Sequence, residues 1–466
     1  MNKKSAWEKY DEKTLESVMS YAENYMDFLN KGKTERECVN YIIEKIEKSG
    51  YRKLIPGKIS KGSLKKGDKV YFCNMNKTII MFEIGSESIE NGMNILGAHI
   101  DSPRLDIKAN PLYEEDPFVY LDTHYYGGIK KYQWVTLPLA LHGIVVKKDG
   151  TSVTIKIGED ENDPVFFISD LLIHLASEQM EKKATKVIEG EDLDIIIGNI
   201  PLKATYNAEI DEKKDLIKNN VLSILKRDYG IEEKDFLSAE IEVVPADKAR
   251  SSGFDKSMIL AYGHDDRVCA YSSFMAMLEV KDMKRTACCI LTDKEEIGSV
   301  GATGMRSMFF ENVLRELLEG MGVYNELTVR RTLMNSFMLS SDVTSGFDPM
   351  YASSFDKKNV AYLGKGFSFC KFTGSRGKFG SNDANAEYIG KLRKIMDDEN
   401  VDYQLVELGK VDYGGGGTIA YIMALYGMNV VDCGVPVMNM HAPYEVVSKV
   451  DIYENKLGYI AFLKKA

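Results

Sequence analysis

Short apolar runs recur along the chain, and several of them end abruptly in charged residues. The run 285–291 has no helical period, which predicts a buried strand of a parallel sheet. It is followed at once by the adjacent carboxylates Glu295 and Glu296 and a glycine-containing loop. Because the carboxyl ends of parallel strands are where open α/β sheets bind ligands, we expect a site at this strand end. Neighbouring side chains on an extended segment point in different directions, so the two glutamates are predicted to have different roles.

Further apolar runs also end in residues that can bind a divalent metal. Their polar ends are His99 with Asp101, Asp265 with Asp266, Asp342, and His441. Imidazole and carboxylate groups are suitable ligands for zinc, and cobalt and manganese accept similar sites. A solvated surface loop is the plain alternative for any one of these strand ends. Their recurrence favours a shared metal site over that alternative.

Helical patterns open the chain and then alternate with the apolar runs. Residues 14–29 carry apolar side chains at spacings of three and four, and Thr34 to Glu37 forms a capping box that starts a second helix. Strands are predicted within 67–97. Later helices are predicted over 267–280, 309–321, 383–395 and 418–426. The alternation predicts an α/β domain built on a mixed sheet.

The middle of the chain follows a different pattern. Residues 104–245 contain several short β-like runs and one segment with helical period, 166–180. A chain of 466 residues exceeds one comfortable core, so two domains are expected. The simplest account is a domain inserted into another. We predict a catalytic domain formed by 1–103 and 246–466, interrupted by an insert over 104–245.

Composition excludes several classes of protein. A net charge of −10 argues against a nucleic-acid partner. No apolar stretch approaches the ~20 residues of a membrane helix, and the first residues lack the apolar core of a secretory signal. The seven cysteines include no C-x-x-C pair, and several lie in apolar runs. Buried thiols of this kind are typical of a reducing compartment, so a cytoplasmic location without a membrane partner is expected.

The polar strand ends together suit metal-assisted hydrolysis of an amide. Two divalent ions close together need on the order of six to eight protein donors, with one carboxylate bridging the pair. The candidate donors are His99, Asp265, Glu296, Asp342 and His441. Glu295 then remains as a general base, which takes a proton from the attacking water and gives it to the leaving amine. Asp101 is placed to fix the tautomer of the nearby imidazole.

These residues lie in motifs that, as a set, resemble one family. The motifs are Gly97-Ala-His-Ile-Asp-Ser-Pro-Arg104, Gly263-His-Asp-Asp-Arg267, Asp293-Lys-Glu-Glu-Ile-Gly-Ser299, Ser341-Asp-Val343 and Met440-His-Ala-Pro443. Each motif alone is weak evidence for a family. Their order and spacing, including the insert, resemble the aspartyl aminopeptidase/aminopeptidase I family of co-catalytic zinc exopeptidases. The resemblance implies a mixed-sheet zinc-exopeptidase-like catalytic domain with helices on both faces, interrupted by a β-rich dimerisation domain.

The resemblance also implies a role for each candidate residue. Two divalent ions per subunit, zinc or alternatively cobalt or manganese, would be held by His99 and Asp342 on one side, Glu296 and His441 on the other, and Asp265 between them. Glu295 would be the general base and Asp101 would orient His99. Asp266 stays open as an alternative bridge, and would otherwise be a structural partner of Arg267.

Assembly and one further histidine follow from the same resemblance. It implies a homo-oligomer, a dodecamer built from dimers through the insert. His174 lies on the apolar face of the helical segment predicted over 166–180. On its own it would be a core or interface histidine. In the resembled family a histidine of this segment reaches the active site of a neighbouring subunit. The remaining histidines, His124, His142 and His264, are interpreted as structural.

Two glycine-rich loops are candidates for substrate binding. Arg376 and Lys378 place cations among glycines, where they could bind a carboxylate of a peptide or form a solvated turn. Gly416 lies in a run of four glycines before a predicted helix, where main-chain N–H groups can approach a ligand. Aspartyl-specific relatives tend to have a histidine near the position of Asp348. The preferred N-terminal residue, acidic or neutral, therefore stays open.

The sequence predicts a cytoplasmic metalloaminopeptidase that releases the N-terminal residue from peptides. One alternative keeps the metal site but acts on N-acyl amino acids as a deacylase. Another is a catalytically silent protein used for assembly. The full set of base and ligands argues against silence.

Overall fold

The computed structural model describes residues 4–203, 214–374 and 377–466. The chain divides into two compact units, each described here by itself. The first contains Met1–Ser102, Ala249–Met440 and Tyr444–Ala466. The second contains Pro103–Lys248 and His441–Pro443.

The α-helices are α1 (Glu12–Lys31), α2 (Glu35–Lys48), α3 (Ser177–Met180), α4 (Leu216–Ile224), α5 (His264–Glu279), α6 (Phe309–Gly320), α7 (Glu326–Met334), α8 (Ala386–Asp398), α9 (Ala420–Ala424) and α10 (Lys449–Lys465). The strands are β1 (Arg52–Lys53), β2 (Lys69–Asn74), β3 (Thr78–Glu83), β4 (Met93–His99), β5 (Arg104–Glu115), β6 (Phe118–Tyr126), β7 (Leu139–Val146), β8 (Ser152–Ile157), β9 (Ile195–Gly198), β10 (Ala239–Pro245), β11 (Arg250–Ser252), β12 (Met258–Ala261), β13 (Thr286–Thr292), β14 (Phe337–Ser341), β15 (Thr344–Ser345), β16 (Phe367–Cys370), β17 (Tyr403–Val406), β18 (Asn429–Gly434), β19 (Pro436–Met438) and β20 (Glu445–Ser448).

A nine-stranded mixed sheet organises the first unit, in the order β1-β2-β3-β13-β4-β14-β18-β16-β17. Its four central strands, β13, β4, β14 and β18, run parallel to one another, and the strands that flank this group, β3 and β16, are antiparallel to it. The carboxyl ends of these four strands therefore meet along one edge of the sheet. A smaller five-stranded sheet of the same unit has the order β11-β12-β20-β19-β15.

Helices cover both faces of the large sheet. Successive residues of one strand belong to different hydrophobic clusters, as Ile95 and Leu96 do on β4. Leu96 packs in the cluster that includes side chains of α1, α2, α5, α8 and α10, and Ile95 in the cluster that includes α6, α7 and α9. Alternation of this kind is expected for strands that are buried on both faces. The predicted α/β architecture with helices on both faces is confirmed.

The two N-terminal helices agree with the sequence pattern. Asp11 accepts a hydrogen bond from the N–H of Thr14 and caps α1. Thr34 and Glu37 form the reciprocal capping box predicted for α2. Each cap satisfies main-chain donors that a helix start leaves without an internal partner. The prediction of both helices is confirmed.

The second unit is built on an antiparallel sheet with the order β8-β7-β10-β5-β6-β9. The helix predicted over 166–180 is wrong. That segment contains a short 3₁₀ turn, Ile173–Leu175, and the single turn of α3. Phe166, Ile168 and Ala176 are buried, whereas Ile173 is 69% and Leu175 is 68% exposed, so the apolar side chains do not form one face that packs on a core and stabilises a longer helix.

Across the described ranges, no helix is both long and apolar enough to cross a bilayer.

Candidate metal centre

The adjacent parallel strands β13, β4 and β14 bring the candidate residues to one edge of the sheet. His99 is the last residue of β4 and pairs with Thr292 at the end of β13. Asp342 directly follows β14, and Glu295 and Glu296 follow β13 within four residues. Strand ends that are far apart in sequence therefore become neighbours, as the parallel sheet predicted.

His99 is buried at the centre of this edge. Its Nε2 lies 3.2 Å from Asp265 Oδ1 and 3.9 Å from Asp342 Oδ1. Its Nδ1 lies 3.0 Å from the main-chain oxygen of Asp101 and 3.3 Å from Asp101 Oδ1. Burial alone lowers the pKa of His99, but the Asp101 and Asp265 carboxylates outweigh burial and raise it well above its usual value. The imidazole is thus held by Asp101 on one side and faces two carboxylates on the other.

Three overlapping groups of side chains have ligand atoms that all lie within 4.8 Å of one another. They are His99 with Glu295 and Asp342, His99 with Asp265 and Glu296, and Asp265 with Asp266 and Asp342. Burial raises the pKa of Asp342 well above its usual value, and the nearby Asp266 raises it further. One imidazole and several crowded carboxylates are a donor set that a divalent cation would stabilise, because its charge offsets their mutual repulsion. The residues present fit zinc.

The two glutamates lie on a 3₁₀ turn, Glu295–Ile297, rather than on the predicted extended segment. The reason is visible in the contacts of Asp101, which is fully buried. Its Oδ1 accepts the main-chain N–H of Glu295 at 3.1 Å, and its Oδ2 accepts that of Glu296 at 3.2 Å. Lys294 enters the turn in the left-handed conformation, with φ of 68°. Each carboxylate belongs to a different donor group with His99, and the different roles of the two glutamates stay a prediction.

The backbone of Asp265 is held on both sides. Its N–H donates to Glu445 Oε2 at 3.0 Å, and its carbonyl accepts the hydroxyl of Ser102 at 2.6 Å. Both partners are buried. Neither was identified from the sequence, although Glu445 lies only four residues after His441 and Ser102 directly follows Asp101. Asp266, next to Asp265, is fully buried, and burial raises its pKa well above the usual range.

His264 has a structural environment, as predicted. Its Nδ1 lies 2.7 Å from the hydroxyl of Tyr25, and its Nε2 lies 3.2 Å from the main-chain oxygen of Ile259. Burial lowers the pKa of His264 to about 3. A neutral histidine with both ring nitrogens hydrogen-bonded is suited to packing rather than to acid–base catalysis near neutral pH.

Two of the predicted histidines fall in the second unit. His441 Nδ1 lies 2.9 Å from the main-chain oxygen of Gly128. A metal-ligating histidine commonly holds its second ring nitrogen in this way, so the contact suits the predicted role. His174 is exposed on the 3₁₀ turn Ile173–Leu175. The ligand role of His441 and the trans-acting role of His174 stay predictions.

The two predicted substrate loops lie together in the first unit. Gly416 N–H donates to the main-chain oxygen of Thr373 at 2.9 Å. Between the loops is a cavity of about 280 Å³, called the loop pocket here, lined by Phe372, Thr373, Lys378, Glu407, Lys410 and Gly414 among others. Lys378 Nζ lies 2.8 Å from Asp383 Oδ2. Its charge therefore already has a partner, which a substrate carboxylate would have to replace. Arg376 lies outside the described residues.

Asp348, near whose position aspartyl-specific relatives tend to have a histidine, has a local partner. Its Oδ1 accepts the main-chain N–H of Met350 at 2.9 Å and caps the 3₁₀ helix Pro349–Ser354. Capping of a helix start is a sufficient structural reason for an aspartate at this position, without any contact to a substrate. The preference for an acidic or a neutral N-terminal residue stays open.

Comparisons with known proteins agree on one family. Residues 28–463 match the family described as aminopeptidase I zinc metalloprotease (M18). A probable M18 family aminopeptidase 1 of Clostridium acetobutylicum is 60% identical over 461 residues, which cover 99% of this chain and 98% of the relative. The crystal structure of an M18 family aminopeptidase from Thermotoga maritima has a TM-score of 0.93 at 40% identity and covers 100% of both chains. That of aminopeptidase I from C. acetobutylicum has a TM-score of 0.90 at 57% identity and covers 99% of both chains.

These similarities extend over the whole described architecture and give no support to the deacylase or to the silent assembly protein. The zinc-exopeptidase-like fold predicted from the motifs is confirmed by the two crystal structures. The chain belongs to the aminopeptidase I (M18) family of zinc metalloproteases, and it is a metalloaminopeptidase.

Proposed function

We propose that the edge formed by β13, β4 and β14 is the catalytic centre, and that it holds two zinc ions. The observation that carries this proposal is that ligand atoms converge in overlapping groups, in each of which all ligand atoms lie within 4.8 Å of one another. The groups are formed by His99, Asp265, Asp342, Glu295 and Glu296. His99 and Asp342 would hold one ion, Glu296 and His441 the other, with Asp265 between them. Zinc in such a site acts as a Lewis acid toward a carbonyl and makes water a stronger nucleophile near neutral pH.

The protein's own residues then perform the proton transfers. Glu295 takes a proton from the attacking water and delivers it to the amine that leaves as the peptide bond breaks. The Asp101 carboxylate fixes the start of the turn that carries Glu295, because it accepts the N–H of Glu295 at 3.1 Å. It also contacts Nδ1 of His99, which leaves Nε2 facing Asp265 and Asp342. Glu445 and Ser102 hold the backbone of Asp265 in place.

A metal analysis combined with a substrate panel tests this assignment. Purified protein should contain two zinc ions per subunit, and removal of zinc by a chelator should abolish hydrolysis of aminoacyl substrates until zinc is returned. The free-amine substrate Leu-p-nitroanilide should be cleaved, and its N-acetylated form should serve as the matched negative control. A single zinc ion at full activity would contradict the dinuclear assignment. Faster cleavage of the acetylated substrate would contradict the exopeptidase mechanism.

We propose that Gly416, Lys378 and Arg376 bind the substrate, with Lys378 at the loop pocket that it lines. Lys378 is 41% exposed at its side chain, and its ammonium group lies 3.9 Å from the centre of the Phe372 ring and 2.8 Å from Asp383. An acidic substrate side chain could displace Asp383 from this cation. The panel therefore includes Asp-, Glu- and Lys-aminoacyl substrates, tested on wild type, Arg376→Ala and Lys378→Ala.

The ranking of these substrates decides whether either cation binds a substrate carboxylate. Loss of such a contact should cost roughly 1.5–3 kcal/mol, or one to two orders of magnitude in kcat/KM for Asp and Glu substrates, with Leu little changed. Asp383→Asn is the matched control, because it removes the competing carboxylate and should favour acidic substrates. If Leu or Lys is cleaved best and neither cation variant changes the ranking, both cations are surface residues.

We further propose that the second unit is an inserted dimerisation domain and that His174 acts in a neighbouring subunit's site. Support comes from the exposed apolar segment around it, Leu171, Leu172, Ile173 and Leu175, each between 45% and 69% exposed. Contiguous apolar side chains on a surface mark interaction sites. Dimers joined in this way could assemble further into the dodecamer that the family resemblance implies.

His174→Ala should lower kcat/KM while zinc content and oligomer size stay unchanged, because the imidazole would act on substrate rather than hold the assembly. Ile173→Asp is the companion variant and should dissociate the oligomer, since it places a charge in the apolar contact. Sedimentation velocity and steady-state kinetics measure the two effects. An active monomer at assay concentration would rule out the assembly, and an unchanged kcat/KM for His174→Ala would leave that residue structural.

A further inference from the structure

Gly97, Ser340 and Asp432 lie on adjacent strands and form a row across the large sheet. Two of them precede a proposed zinc ligand by two residues in the sequence. Ser340 on β14 pairs with Gly97 on β4 and with Asp432 on β18. Two residues further along the chain, Gly97 is followed by His99 at the end of β4, and Ser340 is followed by Asp342 directly after β14. Because side chains alternate along a strand, residues two apart point to the same side. The Gly97–Ser340–Asp432 row is thus the layer of the sheet next to two of the proposed zinc ligands.

The end of the glycine loop rests on this row. Asp432 is buried, and its Oδ1 accepts the hydroxyl of Thr418 at 2.6 Å and that of Ser340 at 3.1 Å. The space that a side chain at position 97 would need is filled by Met338 Cε and, 3.1 Å from the position of such a Cβ, by Ile419 Cδ1, so Ile419 packs close to β4. Thr418 is therefore hydrogen-bonded to β18 and Ile419 packs close to β4, the strands on either side of β14, which Asp342 directly follows.

Thr418 directly follows the four glycines 414–417. Glycine has the largest conformational freedom of any residue, so a run of four cannot define its own position. The loop must be held from outside. Its attachments include the bond from Gly414 N–H to Lys410 O at 3.0 Å, the bond from Gly416 N–H to Thr373 O, and the Thr418 hydroxyl on Asp432. Gly414 and Gly415 line the loop pocket directly.

We infer that Asp432 is a positioning residue for substrate binding, which acts through Thr418 to fix the glycine loop relative to the strand ends that carry His99 and Asp342. The inference rests on the proposal that this loop binds substrate. Asp432 contacts hydroxyl groups of Ser340 and Thr418 and none of the proposed zinc ligands, so its effect is transmitted by geometry. Burial raises the pKa of its carboxyl to about 7. An ionisable group kept in the interior despite the cost of burial is typical of a functional site.

The test compares Thr418→Val with Thr418→Ser. Valine keeps the shape of threonine without the hydroxyl, and serine keeps the hydroxyl. Thr418→Val should raise KM for Leu-p-nitroanilide about tenfold, as expected for the loss of one hydrogen bond to a charged group, with kcat reduced less than threefold and zinc content unchanged. Thr418→Ser should restore KM to within about twofold of wild type. Ser340→Ala removes the other hydroxyl from Asp432 but leaves Thr418 attached, so its effect on KM should be smaller.

Thr418→Val could also raise KM by disturbing the loop directly, without Asp432. A double variant distinguishes the two explanations. If Thr418 acts through Asp432, then Asp432→Ala with Thr418→Val should raise KM no more than Asp432→Ala alone. Full additivity of the two effects would overturn the inference. So would equal KM values for Thr418→Val and Thr418→Ser, or a lower melting temperature with unchanged KM. Wild-type protein that carries zinc but cleaves no aminoacyl substrate would instead contradict the proposed function itself.

Discussion

Replacement of Glu295 by glutamine should lower kcat by a factor on the order of 10² to 10⁴ while both zinc ions and the fold are retained. Glutamine has the shape of glutamate but cannot take a proton from water at neutral pH. The main-chain N–H of residue 295 still donates to Asp101, so the turn should keep its position. Steady-state kinetics and zinc analysis of the same preparation measure the two properties together.

The adjacent Glu296→Gln is the matched control. Its side chain shares a donor group with His99 and Asp265, whereas that of Glu295 shares one with His99 and Asp342. Both glutamates thus lie close enough to be ligands, and geometry alone leaves their roles to experiment. Glu296→Gln should lose or weaken one zinc ion, because an amide oxygen is a poorer ligand than a carboxylate. If Glu295→Gln loses zinc and Glu296→Gln keeps it, the two roles are reversed.

The sequence predicted the parts of the site that local pattern determines. Continuous apolar runs predict buried parallel strands, and the carboxyl ends of such strands meet at one edge of the sheet. The sequence alone could therefore predict that His99, Asp342 and Glu295 lie close together. The helices at the N-terminus were equally accessible, because the capping box from Thr34 to Glu37 is a local signal. In each case the residues that carry the signal are close together in sequence.

Features that depend on distant partners were missed. Glu445 holds the N–H of Asp265 across 180 residues. Asp432 accepts the hydroxyl of Ser340 across 92 residues, through a pairing of β18 with β14 that no local pattern indicates. The 3₁₀ turn at Glu295 forms where Asp101, which follows β4, accepts two N–H groups. The period over 166–180 failed for the opposite reason. Leu171, Leu172, Ile173 and Leu175 lie exposed on the surface of the second unit, so the period did not mark a single face packed on a core.

Asp101→Asn should lower kcat about 10- to 100-fold and weaken zinc binding in the same variant, the usual cost of losing a group that orients a metal ligand. The carboxylate serves three groups at once. Its Oδ1 lies 3.3 Å from His99 Nδ1 and 3.1 Å from the N–H nitrogen of Glu295, and its Oδ2 lies 3.2 Å from that of Glu296. An asparagine keeps one acceptor oxygen, but its NH₂ group is a donor. It would face one of the two main-chain N–H groups, and two donors cannot form a hydrogen bond. The turn with both glutamates should shift as a result.

Ser102→Ala is the control for this variant, since it removes only the neighbouring hydroxyl that donates to the carbonyl of Asp265. It should change kcat and zinc affinity less than Asp101→Asn does, because the net value of one neutral hydrogen bond is about 1 kcal/mol. Zinc affinity is measured by competition with a chromogenic chelator, and kcat on the zinc-saturated protein. A kcat that recovers fully at saturating zinc would mean that Asp101 orients only His99. A kcat that stays low would show that it also positions Glu295.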